Sequence, residues 1–154
     1  MNGFTPNVLF SQDWFGQLSF NEYLSNDLFK SQILSGNQPL DLIKLCEFSL
    51  KDKWTLVYTG TRDGFAAVNF HSKRDRHKNT LTLLKAHGTS YIFGGFVSIN
   101  WDGSSGWKSD PDVFLFSITN RDNQPSKMWK INTTKSILCH SAYGPIFGIG
   151  GGDI

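Results

Sequence analysis

Glutamate, cysteine, proline and long apolar runs are all scarce in this sequence. Glu22 and Glu47 are the only glutamates among 13 acidic residues. Poverty in that helix former, beside many Phe, Gly, Ser, Thr and Asn, argues against a helical bundle. Two cysteines, Cys46 and Cys139, make no disulfide framework and have no metal-ligand spacing, so buried thiols in a reducing compartment are the expectation. Five prolines against 15 glycines exclude a collagen-like chain and point to many tight turns. No apolar run approaches the ~20 residues of a membrane span. The first basic residue is Lys30, so the start lacks the charge of a signal or transit peptide, and a cytoplasmic protein is expected. A net charge of +2 gives no reason to expect a nucleic-acid or membrane partner. The charge is unevenly spread: residues 1–52 carry three lysines against six acids, and residues 53–154 twelve basic residues against seven acids.

What is present is aromatic. The 154 residues include 13 Phe, 5 Trp and 4 Tyr, ample apolar surface for one core and too much for wholesale disorder. Residues 1–27 scatter aromatics among Asn, Ser and Gln and read as an extension of uncertain order, with a short partner element around Asn21–Phe29. Residues 39–51 read as an amphipathic helix entered at Pro39, with Asp41, Lys44, Glu47 and Lys51 on one face. Trp54–Gly60 reads as a strand. Asp63 is placed to cap a helix over 64–73 that turns Phe65, Val68 and Phe70 inward. Thr80–Ala86 and Tyr91–Ile99 read as a hairpin in which Gly94 and Gly95 mark a bulge or a close ring contact. Strands follow at 113–118, 127–131 and 136–140, and a glycine-rich stretch covers 144–152. The pattern is α+β and β-rich, with a β-sandwich expected.

No motif supplies a catalytic centre. Counting from Gly148, the third glycine of a dinucleotide fingerprint would fall on Asp153. His71, His77, His140 and the cysteines lack metal spacing, and His71 is expected to bond a backbone carbonyl. Lys73–Lys78 is expected to be a solvated basic loop. Trp101, Asp102, Trp107, Lys108 and Asp110 share a Gly/Ser-rich loop. That loop suits a carbohydrate-binding surface, or a loop packed down by its own tryptophans. No cofactor or metal is expected.

In order along the chain stand Trp54-Thr-Leu-Val-Tyr58, Thr61-Arg62-Asp63-Gly64-Phe65, Asn69-Phe70-His71-Ser72-Lys73 and Thr80-Leu81-Thr82-Leu83-Leu84. Then come Ile92-Phe93-Gly94-Gly95-Phe96, Trp101-Asp102, Gly106-Trp107-Lys108-Ser109-Asp110, Phe114–Ile118 and Tyr143–Gly148. This run resembles the TLDc domain family over about residues 28–154. The resemblance implies a two-sheet antiparallel β-sandwich flanked by short helices. It also implies a non-enzymatic protein-interaction module linked to oxidative-stress resistance and to binding subunits of the vacuolar proton pump (V-ATPase), reached at an organelle membrane through that partner. Arg62, Asp63, Gly64, Phe65, His71, Gly94, Gly95, Trp101, Trp107, Lys108 and Asp110 are then framework or interaction candidates, with Phe65 in the core and Arg62 either paired with a carboxylate such as Asp110 or facing a partner. Two departures stand out. Arg74 occupies the place where the family commonly has a cysteine, and the family pattern continues beyond the glycine-rich stretch, so the domain is expected to lack its C-terminal strands. The alternatives are a thiol-based redox protein using Cys46 or Cys139, and the carbohydrate-binding sandwich.

Overall fold

β-Branched and aromatic runs separated by Gly, Asn and Asp turns build two antiparallel sheets. The computed structural model describes residues 26–75 and 77–148. The readings of residues 1–25, Arg76 and 149–152 lie outside them. After a 3-10 turn (Asp27–Lys30) come three helices: α1 (Gln38–Leu45), α2 (Gly60–Asp63) and α3 (Ala67–Arg74). The strands are β1 (Thr80–Lys85), β2 (Ile92–Val97), β3 (Gly106–Lys108), β4 (Phe114–Thr119), β5 (Lys127–Lys130), β6 (Ile137–Cys139) and β7 (Ile146–Phe147). Four strands join in the order β1-β2-β4-β5 and three in the order β3-β6-β7.

Side-chain alternation splits the core in two. One face of the larger sheet, with Ile92, Phe96, Phe114, Phe116 and Ile118, packs on Leu42, Ile43 and Cys46 at α1. The second cluster holds Val97, Trp101, Val113, Ile137, Cys139 and Phe147, and Leu115 packs against it. It joins the two sheets. Asp110 is buried and pins their ends: its carboxylate accepts from the Ser98 amide and hydroxyl, both at 2.6 Å, while its own amide donates to Ser136 Oγ at 2.9 Å.

The hairpin is confirmed, with Thr80 opposite Val97 and Lys85 opposite Ile92. The paired glycines mark close approach, while the register shift falls earlier, between Ile92 and Phe93. A Cβ on Gly94 would lie 1.9 Å from the Thr82 carbonyl oxygen; one on Gly95 would lie 2.5 Å from the Phe147 ring. Backbone in a paired strand yields less than a ring. Gly94→Ala is therefore expected to cost about 3 kcal/mol and Gly95→Ala about 1–3 kcal/mol, read by urea unfolding. Wild-type stability in Gly94→Ala would contradict this packing.

Four expectations are corrected. The first helix stops at Leu45, and Glu47 takes a positive φ of 56°. Residues 54–59 form no strand and pair in neither sheet, despite their strand-like composition, and Gly60 begins α2. Part of the segment bonds to the 3-10 turn instead: Asp27 N donates to the Trp54 carbonyl, and Leu56 N to the Asp27 carboxylate. Gly106–Lys108, read as loop, is strand β3 against β6. Lys73 and Arg74 belong to the last turn of α3, and Arg74 is buried rather than solvated.

Candidate interaction site

The Thr61–Phe65 block spans the end of α2 and the turn that leads into α3. Asp63 does not cap the helix that follows it. Its carboxylate reaches back to the Thr59 amide at 2.9 Å, closing the turn before, and Ala66 opens α3 with no side-chain cap. Arg62 holds the same carboxylate from Nε at 3.0 Å and from Nη2 at 2.7 Å. The expected Arg62–Asp110 pair is therefore absent; the neighbour in sequence is simply nearer, and Asp110 is spent on backbone amides. The Arg62 hydrogen bond, followed by that from Thr59, holds the Asp63 carboxyl down at about 2. Its contribution to stability, present above the ordinary carboxyl range, is lost only as pH falls through that value. Gly64 has φ +95°, a region open to glycine, and its carbonyl accepts from Tyr58 Oη at 2.6 Å.

This bracing presents Phe65 to solvent. Phe65 is 81% exposed and Val68 is 68% exposed, against the expectation that both turn inward. Phe65 precedes α3, on the turn; for Val68 the reason is helix phase. Phe70 and Arg74, four apart, are the buried residues of α3, so Val68 and Ser72 fall on the outer face. Gly60 accommodates the Phe65 ring: a Cβ there would stand 2.4 Å from it. A large apolar ring thus lies against glycine backbone while most of it stays in solvent.

The inner face of α3 is fastened at three points. Phe70 meets Tyr58 edge-on at 5.6 Å and Trp101 at 6.3 Å. The Arg74 guanidinium stacks on Phe70 at 4.8 Å and on Trp101 at 4.9 Å. Its Nη atoms have no hydrogen-bond partner among the described residues, and burial lowers its pKa to about 10. His71 behaves as expected: Nε2 lies 3.0 Å from both the His140 and the Tyr143 carbonyl oxygens, and Nδ1 lies 2.8 Å from Asp75.

Carbonyls and a carboxylate only accept, so this setting suits the imidazolium, with both nitrogens donating. Burial alone would lower the His71 pKa, but the bonds to Asp75 and the two carbonyls outweigh it and raise it. The sign follows: the stabilisation is complete below about pH 6.5 and is lost as pH rises through the raised folded value. Unfolding free energy is expected to fall across that range in the wild type and less so in His71→Gln. Identical slopes would contradict the clamp.

The remaining candidates are scaffold at separate places. Trp101 is 1% exposed, and its Nε1 donates to Thr80 Oγ1 at 3.3 Å. Trp107 sits half-buried in β3 opposite Leu138. Lys108 pairs with Asp102. With Trp101 buried, the carbohydrate surface loses one of its two rings. The thiol alternative also weakens: burial pushes Cys46 up to about 12 and raises Cys139, the reverse of what a reactive thiolate needs. Among the described residues no group of three or more His, Cys, Asp or Glu could hold a metal ion. None of their helices is long and apolar enough to cross a membrane.

The order of elements and the two small antiparallel sheets with few short helices define an α+β, sandwich-like fold. The chain belongs to the TLDc domain family, whose model matches residues 28–154. No curated protein matches it.

Proposed function

We propose that this protein is a non-enzymatic TLDc-type interaction module and that it docks on its partner through Phe65 and Val68. The observation that carries the reading is the pairing of two mostly exposed apolar side chains with a hydrogen-bonded turn beside them. A ring carried on such a turn has less freedom to lose on binding. Aromatic anchors of this kind concentrate binding energy at protein interfaces. Exposed Lys73 acts on the same turn, while the Arg62 charge is already met by Asp63, so the partner surface is an apolar pocket with an acidic group on the Lys73 side.

The partner this reading adopts is the V-ATPase, and the process is oxidative-stress resistance; both come from family membership. Binding of the full chain to the purified pump, with Phe65 and Val68 replaced in turn, tests the reading. No binding by the wild type in reducing or oxidising buffer counts against the pump. Binding that is indifferent to both substitutions counts against the surface.

A further inference from the structure

Strand β5 ends one side of the larger sheet and, among the described residues, pairs only with β4. The Ile131 amide donates to the Val113 carbonyl at 3.1 Å, so these two residues face each other as a hydrogen-bonded pair. By alternation, Trp129 with Leu115 and Lys127 with Ser117 are the next such pairs. The amides and carbonyls of Met128 and Lys130 therefore point away from β4, and no described residue bonds to them. Lys127, Trp129 and Lys130 are exposed, so this edge is open to solvent. Trp129 is 45% exposed, and Lys127 Nζ stands 5.3 Å from its ring centre. The charge here is of one sign. Residues 123–140 contain Lys127, Lys130 and Lys135 and no Asp or Glu. The facing residues of β4 are uncharged, and neither β5 lysine has an ion-pair partner among the described residues.

We propose that the open edge of β5 docks an extended acidic segment of a partner protein, which joins the four-stranded sheet as a further strand. The outward amides and carbonyls of Met128 and Lys130 supply main-chain bonds that any extended segment can use, and the side chains choose among segments. In antiparallel addition the residue opposite Trp129 belongs to a non-hydrogen-bonded pair, where side chains come closest, so an apolar residue there covers the exposed indole. The residue before it lies beside Lys130, and the residue two after it beside Lys127, so both positions favour a carboxylate. The selected order is acidic, apolar, any, acidic. A second copy of β5 fits less well, because it would bring four lysines to one seam. The charges that keep two such edges apart are the ones that attract an acidic segment.

The probe is an acetylated, amidated peptide, Thr-Glu-Val-Thr-Glu-Thr, added to the isotope-labelled full chain and followed by amide NMR. Saturable shifts centred on residues 128–130 are expected, with slower hydrogen exchange at the Met128 and Lys130 amides. Lysine in place of both peptide glutamates, or Lys127→Glu/Lys130→Glu in the protein, should weaken binding at least roughly tenfold. Lys130→Pro removes an outward N–H and no bond to β4, so it should bind less well than Lys130→Ala, which separates main-chain pairing from charge. Melting curves of the variants check that each is folded. No saturable shift, shifts centred on Phe65 and Val68 instead, equal binding of the acidic and basic peptides, or equal binding by Lys130→Pro and Lys130→Ala would each overturn the proposal. So would dimerisation of the chain through this edge in the absence of peptide, since a second copy would then hold it.

Discussion

Trp101→Ala is expected to cost about 3–5 kcal/mol, the range for emptying a fully buried large aromatic site. Trp101 is 1% exposed and stands where three parts of the fold meet. It packs edge-on against Phe147 at 5.4 Å, joining the smaller sheet, and its indole donates to Thr80 at the start of the larger one. It also forms one side of the stack that holds the Arg74 guanidinium. Removing the ring leaves a cavity and takes from a buried cation one of its two aromatic neighbours. Folded domains carry about 5–15 kcal/mol, so the variant loses a large share of its stability. The melting temperature should fall by roughly 10–15 °C at this chain length. Trp101→Phe, which refills part of the site, should lose less. A change under about 1 kcal/mol in Trp101→Ala would mean that the two sheets and α3 are not joined at this point.

Phe65→Ala and Val68→Ala form the opposite case. Both side chains are mostly in solvent, so each substitution should change stability by no more than about 0.5 kcal/mol. If they anchor a partner, each should weaken binding by about 2 kcal/mol, roughly 30-fold. Phe65→Ala should show the larger effect because the ring offers more area. Arg62→Ala is a useful companion, since Arg62 both braces Asp63 and flanks the apolar pair. A loss of affinity accompanied by unfolding would place Phe65 in the fold rather than at an interface.

Alternation makes β4 legible, with Phe114, Phe116 and Ile118 buried in turn, and the turn residues His87–Ser90 make the hairpin legible. Gly94 and Gly95 are legible as close-contact positions, since a paired glycine inside a strand has few other uses. The Trp54–Tyr58 segment misleads for a physical reason. Strand propensity reflects fit to a pleated, half-buried surface, and this segment finds its hydrogen bonds on the 3-10 turn instead of a sheet. The phase of α3 misleads in a similar way. Hydropathy selects Phe65, Val68 and Phe70 as the inner face; Phe70 is buried, but its partner at spacing four is Arg74 rather than an apolar residue, and a charged residue is not an obvious member of a core. That membership depends on two aromatic rings, one of them 27 residues downstream of Arg74, which local periodicity cannot bring together. The carboxylate of Asp63 is legible as a cap, but not the direction in which it caps. The exposed pair that carries the proposed function is therefore hidden by the same feature that makes it usable, an apolar sequence around a hydrogen-bonded turn.

The central claim is that a stable scaffold presents Phe65 and Val68 to a protein partner. The most direct measurement is the affinity of the full chain for purified V-ATPase, wild type against Phe65→Ala/Val68→Ala, with thermal unfolding of both proteins recorded alongside. Saturable wild-type binding, at least roughly 100-fold weaker in the variant with an unchanged melting temperature, is the predicted result. Equal affinity of the two proteins for the pump would contradict the account.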